Sequence, residues 1–421
     1  MTGRVVVAGG SIAGLAAALA LSGRGVPTLV LDRSTADGPA LPQAGHSHTF
    51  TSLGLAVLRD RAPEVLAALL AAGATPLDVG PGPDLVALGC RRTVLQDVLR
   101  RVVAAAPGVE LRRGIRVTGL QAAGGRVTGV VLADGTAVPA ELVLDATGRR
   151  SCSAGWLADL GVATAADRWS PTRLRAFSRF YRRAGALGPL NRGNAAGVVG
   201  EQFAGVVHPA DGEVFSIALG TLPDDRALDP LREPAGFDAA ARYTPWVADW
   251  MPDAEPLTGV RVLTCPPNVL RGAALAPYPG LLPVGDAACV TDPIFGRGMS
   301  LALAHAYAVV DAVLDGGDPA AITQDLLAPW YEQATVDSVD RTACWQAAVA
   351  GEPAPEPPPG SLRAVGRAVA GDPAIGLAVT RVLMGLTPPE RAYAGLRIPA
   401  GGPTAPGPTR AELLGSLYAR R

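Results

Sequence analysis

The sequence contains no lysine, and all 37 of its basic side chains are arginines. Chemistry that requires a lysine amine, such as a Schiff base or the phosphate contact of a P-loop, is therefore excluded. The 38 acidic residues nearly balance the arginines and leave a formal net charge of −1. Because nucleic-acid-binding proteins carry a basic surface, this balance argues against a nucleic-acid partner.

Cysteine is scarce, and its spacing fits neither a disulfide framework nor a zinc-thiolate site. The five cysteines lie at positions 90, 152, 265, 289 and 344, and no two form a CxxC pair. This pattern is typical of a reducing compartment. Long apolar runs are also missing, since the stretch from Ile12 to Leu21 is about half the ~20 residues that cross a membrane. The sequence begins with a strand-like run rather than a signal peptide, so we expect a cytoplasmic protein without a transmembrane segment.

The composition that remains is that of a folded protein with a large core. Hydrophobic residues make up 48% of the 421 positions and charged residues 18%. The 51 glycines and 38 prolines stay below the share of roughly 25–30% that is typical of disordered chains. At a typical ~100–200 residues per domain, the length fits two or three domains.

The first 32 residues predict a βαβ unit. The apolar run Arg4–Ala8 ends in glycines, a helical segment continues to Ser22, and a second apolar run covers Thr28–Asp32. This order requires a parallel sheet. Farther along, the patterns predict helices over 53–73, 92–106 and 300–314, strands over 109–111, 117–120, 127–132, 141–145 and 281–285, and a hairpin turn at 134–135. They also indicate an irregular charged segment over 173–183, paired strands over 197–207 and 213–220, and a proline-rich linker over 352–360.

A glycine-rich turn connects the first predicted strand to its helix. It follows the GxGxxG template with serine in place of the middle glycine. These positions allow a tight turn and a close approach to a pyrophosphate, while the helix N-terminus supplies partial positive charge. A carboxylate at the end of the second strand can accept hydrogen bonds from ribose hydroxyls. The predicted contacts are Gly9, Gly10, Ser11, Ala13, Gly14, Asp32 and Arg33. The motif alone does not separate NAD from FAD, and a plain strand–helix turn is the alternative.

A second glycine motif follows the predicted strand at 281–285. Its aspartate, at a strand end, is placed to accept hydrogen bonds from a polyol such as the ribityl chain of a flavin. The loop and helix that follow supply backbone donors for the negative charge at the N1–C2=O edge of a reduced flavin. The alternative is an ordinary strand–loop–helix with an acidic N-cap. The predicted contacts are Gly285, Asp286, Pro293, Gly296, Arg297, Gly298 and Met299.

These two motifs, together with Asp145-Ala-Thr-Gly-Arg149, resemble the FAD-dependent aromatic-hydroxylase-type (class A) monooxygenases. A closer likeness is to the flavin-dependent epoxidases of polyether biosynthesis, whose Pro-Gln-x-Arg-His-x-His loop is similar to residues 42–48 and whose arginine-led helix is similar to residues 90–100. The sequence departs from these epoxidases at Gly45, Ser11 and Arg297. The resemblance adds His46, Arg92, Val117, Thr147 and Gly148 to the expected cofactor contacts.

The resemblance also implies a fold. We expect an α/β protein with a doubly wound FAD-binding domain, a Rossmann variant of the glutathione-reductase type, formed by residues 1–166 and 257–330. A mostly β substrate-binding domain is expected at 167–256, and a helical C-terminal segment at 331–421.

The implied activity is FAD-dependent monooxygenation of a hydrophobic small molecule, by hydroxylation or epoxidation, in natural-product biosynthesis. Reduced flavin would react with O₂ to give a C4a-hydroperoxide, with NAD(P)H as electron donor either directly or through a separate flavin reductase. No catalytic side chain and no metal are predicted. The alternatives are an FAD-dependent dehydrogenase, reductase or desaturase on the same fold, or a flavin-bound interaction protein without catalytic activity. The related halogenases rely on a lysine, which this sequence lacks.

Several further residues have two interpretations. His46 and His48 form an HxH pair that resembles a metal site, but we favour hydrogen bonds to backbone or cofactor. Cys289 is expected to be a small buried residue rather than a nucleophile. Four aromatic residues could line a substrate pocket or pack in a core, namely Phe203, Phe215, Trp246 and Trp250.

Overall fold

The computed structural model describes residues 3–35, 37, 45–185, 188–399 and 407–418. Residues 42–44, which open the loop that resembles the epoxidases, lie outside these ranges. The strands are β1 (Val5–Ala8), β2 (Thr28–Asp32), β3 (Thr75–Asp78), β4 (Val86–Gly89), β5 (Val109–Arg113), β6 (Val117–Ala123), β7 (Arg126–Leu132), β8 (Ala137–Pro139), β9 (Leu142–Asp145), β10 (Arg168–Ser170), β11 (Arg175–Arg182), β12 (Ala196–Val199), β13 (Ala204–Pro209), β14 (Val214–Thr221), β15 (Glu255–Pro256), β16 (Arg261–Thr264), β17 (Asn268–Leu270), β18 (Leu281–Pro283) and β19 (Cys289–Val290).

The helices that connect and cover these strands are α1 (Ile12–Gly23), α2 (Ser52–Arg61), α3 (Pro63–Ala71), α4 (Arg92–Ala105), α5 (Ser153–Asp159), α6 (Pro234–Tyr243), α7 (Gly272–Leu275), α8 (Gly298–Leu314), α9 (Pro319–Ala350), α10 (Leu362–Ala368), α11 (Pro373–Leu383), α12 (Pro389–Ala392) and α13 (Arg410–Tyr418). The helix predicted over 53–73 is two helices, α2 and α3. The chain breaks at Ala62 because Pro63 lacks an amide hydrogen and therefore starts a new helix.

A parallel sheet confirms the predicted βαβ unit. Its strand order is β18-β9-β1-β2-β5, and every pairing in it is parallel. Strand β1 is buried on both faces, as a sheet covered by helices requires. Ala8 and Pro283 both lie beside Asp145 in the register, so the carboxyl ends of β1, β9 and β18 meet at one edge. Ligands of open α/β sheets bind outside this edge.

An antiparallel sheet follows in the middle of the chain. Its order is β12-β13-β14-β11-β15, and β16 also pairs with β11. The prediction that 173–183 is irregular is wrong, since β11 is an interior strand that pairs with β14 on one side and with β15 and β16 on the other. Two of its arginines are buried in ion pairs, with Arg175 2.8 Å from Asp229 and Arg179 2.7 Å from Asp238. The segment 197–207 is two strands rather than one, and the sheet extends to Thr264, past the predicted boundary at 256.

Three smaller sheets complete the strand pairing: β3-β4, β6-β7-β8 and β10-β17-β19. The predicted turn at 134–135 is confirmed between β7 and β8. There, Gly135 has a φ of +85°, and the amide of Leu132 donates to the carbonyl of Thr136 at 2.9 Å.

The C-terminal helices pack against both parts of the chain. Helix α9 has 32 residues, spans the predicted boundary at 330 and buries Trp330 and Tyr331 in a core that it shares with α8. Helix α13 lies against the antiparallel sheet, where Leu413 and Leu417 join its core and Arg410 forms two 2.7 Å hydrogen bonds to Asp225. Among the described residues, no helix has both the length and the apolar character needed to cross a membrane.

Candidate functional site

A cavity of about 810 Å³ lies at the carboxyl edge of the parallel sheet. This volume falls within the roughly 300–1,000 Å³ of ligand pockets. Both glycine motifs line the cavity, although more than 270 residues of chain separate them. The predicted contact residues on its wall are Gly9, Gly10, Ser11, Ala13, Asp32, Arg33, His46, Arg92, Val117, Thr147, Gly148, Gly285, Asp286, Pro293, Gly296, Gly298 and Met299.

The first glycine turn is held by two close backbone approaches. Gly9 has a φ of +119°, and a Cβ there would lie 2.2 Å from the carbonyl oxygen of Ala146. A Cβ on Gly14 would lie 1.9 Å from the carbonyl oxygen of Gly9. Gly14 is absent from the cavity wall, so its role in this structure is to let α1 pack against the turn.

Ser11 precedes the first residue of α1, and its side chain caps no backbone amide of that helix. Its hydroxyl instead accepts a hydrogen bond from Nη2 of Arg92 at 3.1 Å. The guanidinium of Arg92 therefore lies beside the N-terminus of α1, where the helix dipole and free amides favour an anion. Burial lowers the pKa of Arg92, and the charge of Asp286 opposes that shift.

Asp286 connects this positive region with the second motif. Burial raises the pKa of its carboxyl group, whereas Arg92, Arg149 and Arg271 lower it. The carboxyl group lies on the cavity wall, as does Arg149, which the sequence analysis assigned no cofactor contact. This arrangement offers a hydrogen-bond acceptor to a polyol and cations to a diphosphate.

Asp32 lies at the end of β2 and is 7% exposed. Its Oδ1 accepts a hydrogen bond from the amide of Ser34 at 3.0 Å, and its Oδ2 lies 3.7 Å from Nη2 of Arg100. A Cβ on Gly10 would lie 2.7 Å from this carboxylate, so the glycine turn passes directly beside it. An acceptor for ribose hydroxyls thus lies next to the anion-binding turn.

Asp145 is fully buried and fixes a third segment of the wall. It accepts hydrogen bonds from the amide of Thr147 at 2.9 Å and from its hydroxyl at 2.6 Å. The hydroxyls of Ser151 and Ser153 also donate to it. These bonds hold Thr147 and Gly148 against the cavity.

His305 was missed by the sequence analysis, yet it holds the second motif. Its Nδ1 accepts a hydrogen bond from the amide of Gly285 at 3.1 Å, and its Nε2 lies 3.1 Å from the hydroxyl of Thr323. That hydroxyl donates to the carbonyl of Pro319. Burial lowers the pKa of His305 to about 3, so the ring is neutral and Nε2–H donates to Thr323. A lone histidine on an apolar helix gives no sequence signal of this role.

The HxH pair forms a hydrogen bond within its own loop. Nδ1 of His48 donates to the carbonyl of His46 at 2.8 Å. Burial lowers the pKa of His48 to about 3. Within the described part of the chain, no group of three histidine, cysteine, aspartate or glutamate side chains is arranged to hold a metal ion.

The structure places the side chain of Arg297 away from the cavity. It is 1% exposed and lies between two rings, with its Cζ 4.7 Å from the centre of Phe295 and 4.5 Å from that of Trp330. A cofactor contact by this side chain is therefore not supported. The residue directly precedes α8, whose first residues, Gly298 and Met299, do line the cavity.

The four aromatic residues do not line the cavity either. Phe203, Phe215 and Trp250 lie in the core of the antiparallel sheet, and Trp246 is 39% exposed. Cys289 lines the cavity, and burial raises the pKa of its thiol. The apolar part of the wall includes Leu263, Pro266, Val290, Leu301 and Leu327.

A family comparison supports the flavin assignment for the first part of the chain. Residues 4–172, which include the first glycine turn and the Asp145 segment, match the family model described as FAD dependent oxidoreductase. This part of the chain is therefore similar to FAD-dependent oxidoreductases. No curated protein matches the chain.

Several solved structures share its fold. The chain is similar to pqsL, a probable FAD-dependent monooxygenase from Pseudomonas aeruginosa, with a TM-score of 0.63 and 15% identity over 82% of this chain and 96% of that chain. The flavin-dependent brominase Bmp2 matches with a TM-score of 0.65 and 17% identity over 93% of this chain and 98% of that one. The Diels-Alderase PyrE3 matches with a TM-score of 0.59 and 17% identity over 91% and 80%, respectively.

At such identities, the likeness to these structures establishes the fold. It confirms the predicted doubly wound α/β architecture, and together with the family match it confirms the predicted resemblance to flavin monooxygenases. A monooxygenase, a brominase and a Diels-Alderase share this fold, so the fold alone does not select the reaction.

Proposed function

We propose that this protein is an FAD-dependent monooxygenase that hydroxylates or epoxidises a hydrophobic small molecule, with NAD(P)H as the source of electrons. The observation that carries the proposal is the 810 Å³ cavity lined by both glycine motifs. The likeness to a monooxygenase supports this reaction, and the likeness to PyrE3, from the biosynthetic pathway of pyrroindomycins, supports natural-product biosynthesis as its setting.

The residues on the cavity wall fit FAD. The N-terminus of α1 and Arg92 would hold the diphosphate, and Asp32 would accept from the adenosine ribose. Asp286 would accept from the ribityl chain. The loop that ends at Gly298 and the N-terminus of α8 would face the edge of the ring that becomes negative on reduction.

When bound and reduced, the flavin supplies the activation of O₂ and the transfer of oxygen. The protein must orient the substrate and exclude water. Leu263, Pro266 and Leu327 give the cavity an apolar wall suited to a hydrophobic substrate. Cys289 stays protonated because burial raises its pKa, so we assign it no nucleophilic role.

Electron delivery follows one of two routes. In the part of the chain that the structure describes, the parallel sheet carries one glycine-rich dinucleotide turn, at Gly9–Gly14. NAD(P)H would therefore visit the flavin transiently, or a separate flavin reductase would supply reduced flavin. Halogenation is not proposed, because the sequence contains no lysine.

Turnover in labelled oxygen tests the proposal. The FAD-loaded protein is incubated with NAD(P)H, with or without an added reductase, and with a panel of aromatic and polyene compounds. We expect substrate-dependent consumption of NAD(P)H and O₂, and a product that carries one labelled oxygen atom. Anaerobic turnover with an artificial electron acceptor and no oxygenated product would establish the dehydrogenase alternative. Protein purified without flavin, and unable to bind it, would contradict both.

A further inference from the structure

A second, much smaller space adjoins the cofactor cavity. It measures about 20 Å³, which is room for about one water molecule at ~10–15 Å³ each. Strand β13, the turn before β12, the segment Ile294–Phe295 and the end of α11 enclose it. Thr49 lines both spaces, so this chamber lies beside the end of the cavity formed by Pro293 and Gly296. We refer to it as the Arg192 chamber.

Two basic side chains line the Arg192 chamber, Arg192 and His208. Within the described ranges, no carboxylate forms an ion pair with the guanidinium of Arg192, and no side-chain hydrogen bond to it is present. His208 is 9% exposed, and its Nδ1 has no hydrogen-bond partner among the described residues. Arg192 is half-buried and His208 is buried, and both line the same small space. Polar groups withdrawn from water are normally paired, so two groups without partners at one space point to a ligand.

The carboxyl group of Asp337 acts electrostatically on Arg192 but does not form an ion pair with it. Asp337 raises the pKa of Arg192, but burial lowers it more. The carboxylate of Asp337 already accepts hydrogen bonds from Gln333 at 2.5 Å and from the amide of Leu362 at 2.8 Å. Arg297, also buried, lies on the face of Phe295 and adds a second cation to this region. The chamber is therefore positive and favours an anion.

The backbone that carries Arg192 is fixed in place. Arg192 pairs with Ala195 in an isolated bridge, and the side chain of Asn194 donates to Thr49 and to the carbonyl of Phe50. Gly193 has a φ of +61°, and a Cβ there would lie 2.3 Å from Cε of Met384. Because this backbone is held before a ligand arrives, binding has to order only the side chain of Arg192, which limits the entropy cost.

We propose that Arg192 and His208 form the subsite for a carboxylate group of the substrate, which is therefore an apolar organic acid. The inference rests on the proposed function, because it assigns the substrate of the same cavity. The guanidinium would donate to the carboxylate, and the neutral ring of His208 would donate a further hydrogen bond. The chamber has room for about one carboxylate oxygen, so the rest of the carboxylate and the apolar body would lie in the larger cavity.

Equilibrium dialysis with the FAD-loaded protein tests this subsite without relying on turnover. The probes are matched pairs, such as 2-naphthoate with 2-naphthamide and octanoate with octanamide. We expect at least one carboxylate to bind about tenfold or more tightly than its amide, since a hydrogen-bonded charge contributes more than a neutral group. Arg192→Gln is expected to abolish this preference, whereas Arg192→Lys retains part of it. The control Arg226→Gln, on a side chain that is 76% exposed, leaves it unchanged.

The proposal is overturned if no carboxylate binds more tightly than its amide, or if folded Arg192→Gln keeps the wild-type preference. Should Arg192→Gln fail to fold, His208→Leu decides, because it removes the second donor and must weaken carboxylate binding but not amide binding. Protein that oxygenates uncharged substrates without any carboxylate preference refutes this inference alone. Protein that prefers carboxylates but binds no FAD refutes the proposed function and leaves the subsite intact.

Discussion

The amide of Gly285 donates a hydrogen bond to Nδ1 of His305, 20 residues farther along the chain. The bond ties the turn before Asp286 to the buried face of α8, whose N-terminus lies on the same cavity. Gly285 has a φ of +60°, and a Cβ there would lie 2.6 Å from the Cβ of Ala13 in the first glycine turn. The two motifs thus meet at this glycine, and His305 fixes its position.

Removal of the acceptor Nδ1 of His305 should weaken flavin binding. In His305→Leu, the buried amide of Gly285 loses its partner at a cost of about 1–3 kcal/mol, and the turn shifts to reach another. We expect FAD affinity, measured by quenching of flavin fluorescence, to fall about tenfold or more. His305→Asn places an acceptor near the position of Nδ1 and should restore much of the affinity. Equal affinities for the leucine variant and the wild type would contradict the positioning role.

Asp286→Ala should lose bound flavin while the chain stays folded. The substitution removes the acceptor assigned to the ribityl chain, and it also relieves the buried carboxyl, whose pKa burial has raised. The measurement is flavin absorbance per protein after gel filtration, together with the thermal midpoint of the apoprotein. Asp325→Ala, at an exposed position on α9, is the matched control. Full flavin occupancy in Asp286→Ala would refute the assignment.

Gly14→Val should abolish FAD binding through the backbone rather than through contact with the cofactor. A Cβ at Gly14 meets the carbonyl oxygen of Gly9 at 1.9 Å, so α1 must move away from the turn. Overpacking of this kind costs about 1–3 kcal/mol, which a fall in the thermal midpoint would report. Gly23→Ala, on the same helix with nothing within 4 Å of its Cβ, should leave FAD binding unchanged. Normal FAD affinity in Gly14→Val would show that the turn does not bind the diphosphate.

The stability of the C-terminal helices should depend on pH through Asp337. Burial raises the pKa of this carboxyl from near 3.8 to about 6. Between these values, the native state binds a proton that the unfolded chain has lost, so the contribution of Asp337 to the free energy of unfolding falls as the pH rises.

Asp337→Asn isolates this effect. Relative to the wild type, the free energy of unfolding of the variant should rise by about 2 kcal/mol between about pH 4 and about pH 7. Urea unfolding at the two pH values measures the difference, with Asp325→Asn as an exposed control. A difference that is the same at both pH values would mean that Asp337 titrates normally.

The two cofactor-binding turns can be predicted from the sequence, because the conformation of each turn depends mainly on residues within one short segment. The strand–glycine–helix order at Gly9–Gly14 requires a parallel sheet, and the strand end at Asp286 requires an exposed carboxyl edge. Both predictions need only the residues of one short segment. The contact between Ala13 and Gly285 is different, since it depends on how two distant segments pack and only the family resemblance pointed to it.

The rest of the site depends on partners that are far away in the sequence. Strand β11 was misassigned because the partners that allow Arg175 and Arg179 to be buried, Asp229 and Asp238, follow 54 and 59 residues later. In the sequence, His305 cannot be distinguished from other residues on the buried face of its helix. Its role follows only from its hydrogen bond with the amide of Gly285. Arg192 belongs to no motif, and its importance appears only from the absence of a counter-ion among the described residues.

A crystal structure of the FAD complex tests the central claim most directly. We expect one FAD in the 810 Å³ cavity, with its diphosphate at the N-terminus of α1 beside Arg92 and its ribityl hydroxyls within hydrogen-bond distance of Asp286. A flavin bound elsewhere, or touching only one of the two glycine motifs, would contradict the account.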